Sequence, residues 1–312
     1  MTAQAAAVRT LAVDAQTARV VAALTARGVE SLLLKGPVVA RRLYAGDELR
    51  FYGDTDLLVA PGSLDAARRT LRELGYEQWV GDRSASLIGH HGTHWRTPGS
   101  LLEVDLHHTL TGVRADPARL WAALSEHASS MEVNRVPVRV PEAAAVALHA
   151  ALHAAQHGIA RQTPREDLQR AVQRIERETW RAAAALAARV DALDAFGVGL
   201  RLLPEGAALA ADLGVPPNRS RNAALRVMAA PPVTLGVDRL SATRGLRAKA
   251  RLALGWTFPP PDFMREWSAL ARRGRAGLLL AYAWRPVALA GQTGAAVAAW
   301  RRAARATHGG RP

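Results

Sequence analysis

Beyond residue 141 the chain has no β-rich run. PEAAAVALHAALHAAQHG (141–158), REDLQRAVQRIERETWRAAAALAARV (165–190) and the segments after them are rich in Ala, Leu and Arg at helical spacing, punctuated by Gly and Pro. Apolar residues that recur every three to four positions bury one stripe of a helix and cannot line one face of a strand. The second part is therefore read as all-helical, with PPPDF (259–263) as a loop inside it. Before residue 141 the pattern is mixed. A helical stretch, 3–27, closes at Gly28, and SLLL (31–34) enters the turn KGP and the helix VVARRLY. DTDLLV (54–59) reads as a strand, and LDAARRTLRELGY (64–76) as a helix ending at Gly75. YEQWV, HHGTHWRT and LLEVDLHH (101–108) suit further strands. The expectation is an α/β (α+β) domain over residues 1–140 followed by a helical domain over 141–312.

A length of 312 residues supports two domains and a large core without a staple. The absence of cysteine removes disulfide frameworks, thiolate metal sites and cysteine nucleophiles, and fits a reducing compartment. Arg9 and Asp14 interrupt the N-terminal region, so no signal-peptide core is expected there. The longest uncharged apolar stretch, Pro286 to Trp300, is shorter than the roughly 20 residues of a membrane-spanning helix. These features predict a cytoplasmic protein without a transmembrane segment. The net charge of +14 is concentrated at one end: residues 239–312 hold 14 Lys and Arg against only Asp262 and Glu266. Such a region attracts RNA, an anionic membrane surface or an acidic polypeptide, although a plain preference for Arg on a charged surface gives the same count.

In a strand, Asp54 and Asp56 project from one face while Thr55, Leu57 and Val59 project from the other. Adjacent carboxylates resist joint ionisation unless a cation lies between them. With no thiolate available, the fitting ion is a hard one, Mg²⁺ or Mn²⁺. A turn residue followed by a cap or an arginine partner would explain the same pair. The second strand adds Asp105, with Glu103 and His107 on its face and Leu102, Val104 and Leu106 opposite. If the two strands are neighbours, Asp54, Asp56 and Asp105 meet on one side, as phosphoryl-transfer sites require. Upstream, Lys35, one of only two lysines in the chain, stands where KG opens a helix whose amides could attract phosphate.

The order LLLKGPVVARRLY, R-x-x-x-D-T-D-L-L-V, a helix ending LGY, VDLHH, ALHAALHAAQHG, REDL, ETW and a late RP resembles the uncharacterised nucleotidyltransferase family of the polymerase-β-type superfamily. The resemblance covers most of the chain and lies in order and spacing. It implies a nucleotidyltransferase-type mixed sheet with helices, followed by the helical domain. It also implies that Asp54, Asp56 and Asp105 bind divalent metal and that Asp105 helps deprotonate the acceptor. Lys35, Gly36 and Arg50 would contact a nucleoside triphosphate (NTP), with His157 and Asp167 as further nucleotide-binding positions. Pro37 departs from the superfamily's phosphate turn, because it removes an N–H and a hydroxyl.

The implied reaction moves a nucleoside monophosphate from an NTP to a hydroxyl or phosphate of a small molecule, peptide or protein. A toxin-like enzyme acting on RNA and a catalytically silent binding module of the same fold are the alternatives. His149, His153 and His157, four apart on one helix face, admit packing, nucleotide or acceptor contact, or metal. His90, His91, His94, His107 and His108 form a second candidate group. Arg41 and Arg42 follow the phosphate turn and read as a solvated face or a phosphate contact. The tryptophans at 180, 256, 267, 284 and 300 read mostly as core anchors, and Trp284 and Trp300, flanked by arginines, also suit an interface. No G-x-S-x-G elbow or P-loop motif occurs.

Overall fold

A computed structural model describes all residues except 1, 46–47, 81–91, 218–220, 222–224, 226–231 and 309–312. The first helix, α1 (Ala3–Thr25), starts where the Thr2 hydroxyl accepts from the Ala5 amide at 3.3 Å. Then come β1 (Ser31–Leu33), α2 (Pro37–Leu43), β2 (Asp54–Val59), α3 (Leu64–Glu73), β3 (Glu77–Val80), β4 (Gly92–Arg96) and β5 (Glu103–His107). The fold is mixed α+β, as expected. Its five described strands lie in the order β1-β2-β5-β4-β3, with β2 and β5 parallel and the other pairs antiparallel.

Three elements between this sheet and residue 141 are additions to the sequence reading. Helix α4 (Pro117–Ser125) has Asp116 as its cap, accepting from the Arg119 amide at 3.0 Å, and Pro117 in its first turn. Strands β6 (Ser129–Val133) and β7 (Val136–Val140) pair as a hairpin. Its two-residue turn puts Asn134 and Arg135 at φ 46° and 65°, the positive values that match strand twist. Arg41 and Arg42 serve this hairpin, donating to the Glu132 carbonyl and the Ser129 hydroxyl.

The helical half begins with α5 (Ala143–His157), α6 (Gln162–Arg174), α7 (Arg177–Arg189), α8 (Leu193–Leu200) and α9 (Pro204–Asp212). It continues with α10 (Pro232–Ala242), α11 (Leu246–Thr257), α12 (Pro261–Trp267) and α13 (Gly274–His308). PPPDF is a loop only up to Pro260; Pro261 starts α12, where a missing N–H leaves no helical bond unmade. Among the described residues no helix is long and apolar enough to cross a membrane.

The sheet has two apolar faces. Leu33, Leu57, Val59, Val104 and Leu106 pack with Val20 and Leu24 of α1 and Leu71 of α3. Leu32 and Leu58 face the other way and join Leu148 and Leu152 of α5, Leu168 of α6 and Trp180 and Phe196 behind them. Each fully buried Leu contributes about 1.5–3 kcal/mol. Asp54 and Asp56 share the face of Leu58, so α5 stands opposite the acids. Helix α8 approaches α5 closely at Gly199, where a Cβ would overlap the Ala151 carbonyl oxygen. Gly199→Ala is expected to lower the unfolding free energy by about 3 kcal/mol, read by urea denaturation, because the two backbones must part.

Candidate active site

Parallel pairing sets Asp54 opposite Glu103, Asp56 opposite Asp105 and Leu58 opposite His107. Alternation then turns Asp54, Asp56, Glu103, Asp105 and His107 towards α5. On the reverse face the buried Thr55 hydroxyl meets Thr17 at 2.8 Å, while Gln16 donates to Thr55 at 3.2 Å and to the Glu103 carbonyl at 2.8 Å. Helix α1 thus ties the two acid-bearing strands together from behind.

Potential ligand atoms of Asp56, Asp105 and His107 lie within 4.8 Å of one another, and so do those of His94, Glu103 and Asp105. The acids and two histidines of the second candidate group, His94 and His107, therefore form one constellation. His107 Nε2 is 3.1 Å from Asp56 Oδ1, and His94 Nδ1 is 2.7 Å from Asp105 Oδ1. His90 and His91 lie outside the described residues. Asp54 belongs to neither of these two ligand groups. The charge on Asp56, then burial, pushes the Asp54 carboxyl up to about 6.

Lys35 Nζ lies 2.6 Å from Asp56 Oδ1. Burial opposes the lysine's charge, but Asp56 with Asp54 outweighs it and raises its pKa. Burial would likewise lift Asp56, yet Lys35 and His107 hold it well below the usual carboxylate range. The other oxygen, Asp56 Oδ2, is buried without a hydrogen-bond partner among the described residues. An unmatched carboxylate oxygen at the centre of an oxygen and imidazole donor set fits a divalent cation such as Mg²⁺ or Mn²⁺.

Gly36 adopts φ +61°, and the Tyr52 ring packs on it so that a Cβ would come within 3.3 Å of Tyr52 Cδ2. The Tyr52 hydroxyl donates to Asp14 at 2.7 Å, while Arg9 donates to the Gly53 carbonyl at 3.2 Å, so α1 also sets the approach to β2. The start of α2 offers less to an anion than its KG sequence suggested. Pro37 has no N–H, and the Val38 amide donates to the Lys35 carbonyl at 3.3 Å.

Arg50 is held from behind. Its Nε and Nη2 donate to the two oxygens of Asp167 at 2.8 and 2.7 Å, and the Tyr44 hydroxyl donates to Asp167 Oδ1 at 2.7 Å. Rather than opening to the cleft, Asp167 is buried behind Arg50, because both partners occupy its oxygens. Among the described residues Arg50 Nη1 has no hydrogen-bond partner, and Arg50 borders the cleft, which leaves this nitrogen for an anion. Tyr44 escaped the sequence reading; its signal is a tyrosine closing a helix 123 residues from its acid partner.

Lys35, Arg50, Asp54, Asp105 and His157 all border one cleft of about 740 Å³, with Asp56 buried beneath it. His149 and His153 of α5 border it too. The rings of His149 and His153 stack at 5.9 Å, and His157 meets His153 edge-on at 4.8 Å. Burial, then the field of Lys35, lowers His149 to about 3 and His153 well below its ordinary value. Both rings are therefore neutral at pH 7.

The sheet is mixed and carries its acids on two parallel neighbours, with helices across the cleft. The chain belongs to the uncharacterised nucleotidyltransferase family, whose model matches residues 2–206. Among solved structures it is similar to the antibiotic-resistance factor ANT(2'')-Ia in solution, at 18 % identity over 56 % of this chain and 90 % of that one, with a TM-score of 0.39. A crystal structure of ANT(2'')-Ia with adenylyl-2''-tobramycin gives 18 %, 55 %, 94 % and 0.37 for the same measures. An antigenic nucleotidyltransferase-like protein from Paracoccidioides brasiliensis gives 15 %, 60 %, 91 % and 0.35. No curated protein matches.

Removing Lys35 leaves Asp56 as a buried charge without its cation. Lys35→Met is expected to lower stability by about 3 kcal/mol in chelator, measured by urea denaturation, with part of the loss recovered on adding Mg²⁺.

Proposed function

We propose that the protein is a Mg²⁺-dependent (or Mn²⁺-dependent) nucleotidyltransferase that moves a nucleoside monophosphate from an NTP to a hydroxyl or phosphate acceptor on a small molecule, peptide or protein. The observation that carries this reading is the register of Asp56 against Asp105 beneath a cleft that Lys35 and Arg50 also border. Residues 1–140 form the catalytic unit with its N-terminal helix, and residues 141–312 form the helical unit, which contributes His149, His153 and His157 to the cleft wall.

In the reaction an acceptor oxygen attacks the α-phosphorus, the bond to the bridging α–β oxygen breaks, and pyrophosphate leaves. Asp54, Asp56 and Asp105 would hold the divalent cation, which when bound supplies charge neutralisation at the reacting phosphate. Asp105 takes the acceptor's proton. Arg50 offers Nη1 to the triphosphate, held in place by Asp167 and Tyr44, and Lys35 exchanges its carboxylate partner for phosphate oxygens. The left-handed Gly36 lets the backbone come close to the nucleotide. The neutral imidazoles of His149 and His153, with the His157 ring beside them, contact nucleotide or acceptor.

A second reading, a catalytically silent binding module, draws support from Lys35, which already neutralises Asp56 internally, and from Pro37, which removes a phosphate-binding amide. Purified protein is incubated with each α-labelled NTP, Mg²⁺ and either tRNA or cell extract. Label in a small molecule or protein supports the proposal, label in RNA selects the toxin-like enzyme, and nucleotide binding without label selects the silent module. Asp56→Asn and Asp105→Asn are each expected to cut transfer about a thousandfold while the fold survives; full turnover in either would refute the assignment.

Asp167 acts through Arg50. Asp167→Asn is expected to weaken binding of a non-hydrolysable NTP analogue about tenfold, measured calorimetrically, and Tyr44→Phe less. Equal affinity in wild type and Asp167→Asn would show that Arg50 does not depend on its brace.

A further inference from the structure

Residues 207–312 lie beyond the matched family model, and their surface differs from that of the rest of the molecule. Among the described residues, eight of the fourteen exposed large hydrophobic side chains fall between 246 and 287. The same part of the chain carries the excess of cations, so exposed apolar and basic residues fall in one segment.

Two helices define that surface. On α13, Leu280, Trp284 and Val287 are spaced by four and three residues, which makes one stripe, and they are 60 %, 58 % and 56 % exposed. Arg272 and Arg273 stand exposed just before this helix and Arg275 in its first turn; none is in an ion pair among the described residues. Helix α11 has no buried residue at all. It exposes Leu246 at 85 %, together with Arg247 and Arg251 one turn apart. A helix of this length draws its stability from packing one face, and α11 packs only through partly buried residues, chiefly the Trp256 ring over Gly236 of α10.

A partner of this segment must accept leucine, valine and indole side chains as well as guanidinium groups. RNA would use the arginines and the indole, but Leu246, Leu280 and Val287 have nothing to meet on a phosphate backbone. The boundary layer of an anionic bilayer accepts all of them: aliphatic and indole groups enter between headgroups and acyl chains, and arginines meet lipid phosphate and carboxylate. Neither helix is long and apolar enough to cross the bilayer, which leaves them lying on it.

We propose that α11 and α13 dock the protein on an anionic lipid surface, with Leu280, Trp284 and Val287 in the headgroup–acyl boundary and Arg247, Arg251 and Arg273 on lipid phosphates. The test uses the full chain with sedimenting vesicles of phosphatidylcholine alone or phosphatidylcholine mixed with phosphatidylserine. Co-sedimentation is expected only with the mixed vesicles and is expected to fall as salt rises. Leu280→Ser with Trp284→Ser, and separately Arg247→Gln with Arg273→Gln, are expected to lower the partition coefficient about tenfold each, with unchanged circular dichroism. Brominated acyl chains in the mixed vesicles are expected to quench tryptophan fluorescence of the unmodified protein, a readout that needs no variant. Absence of co-sedimentation, or absence of quenching, overturns the proposal. So does binding of oligouridylate that depends on the arginines while the Leu280/Trp284 variant keeps full vesicle affinity, an outcome that assigns the surface to RNA.

Discussion

The parallel, in-register pairing of β2 with β5 is the constraint from which the site follows. Slipping β5 by one residue would turn Asp105 towards α1 and bring Val104 and Leu106 to the cleft. Burial of Leu57, Val59, Val104 and Leu106 against α1 and α3 opposes that slip with several side chains at once. The hydrogen bonds from Gln16 and Thr17 to Thr55 and the Glu103 carbonyl add a polar lock on the same face. Positions at which side chains react are thus fixed by side chains on the other side of the sheet.

Gathering acids beside a buried strand creates an electrostatic cost that the surrounding residues only partly remove. Lys35 and His107 share Asp56 Oδ1, His94 approaches Asp105, and Asp54, left with less help, is pushed up to about 6. The unmatched Asp56 Oδ2 is the remainder of that balance. At Arg50, on the border of the same cleft, the arrangement is reversed: the Arg50–Asp167 pair is nearly closed, and among the described residues only Nη1 of the guanidinium is left without a partner. One buried cluster is short of positive charge and the other has a hydrogen to give, which suits a substrate that carries phosphate together with a cation.

The two ends of the chain solve different problems. Acids and bases almost balance over residues 1–238, and there the charged side chains that matter are paired across the fold, as Arg50 is with Asp167. In residues 239–312 the cations outnumber acids by 12, and among the described residues Arg247, Arg251, Arg272, Arg273 and Arg275 are in no ion pair. The first pattern builds a cleft, and the second builds a surface for a partner outside the chain.

Local pattern alone was enough for the strands at 54–59 and 103–107, for the face each acid takes, and for the helical character of the second half, because alternation and helical period act within a few residues. The hairpin 129–140 and the helix 117–125 went unread although Asn134 and the Asp116-Pro117 pair mark them, since short elements with weak apolar period compete poorly with loop readings. By itself the sequence determined which side chains could share a face. Only the tertiary structure decided that Asp56 lies opposite Asp105, that Lys35 sits on Asp56, and that Asp167 turns from the cleft to grip Arg50 across 117 residues of chain. Those outcomes depend on which distant segments pack together, and the free energy that selects them is that of the whole core.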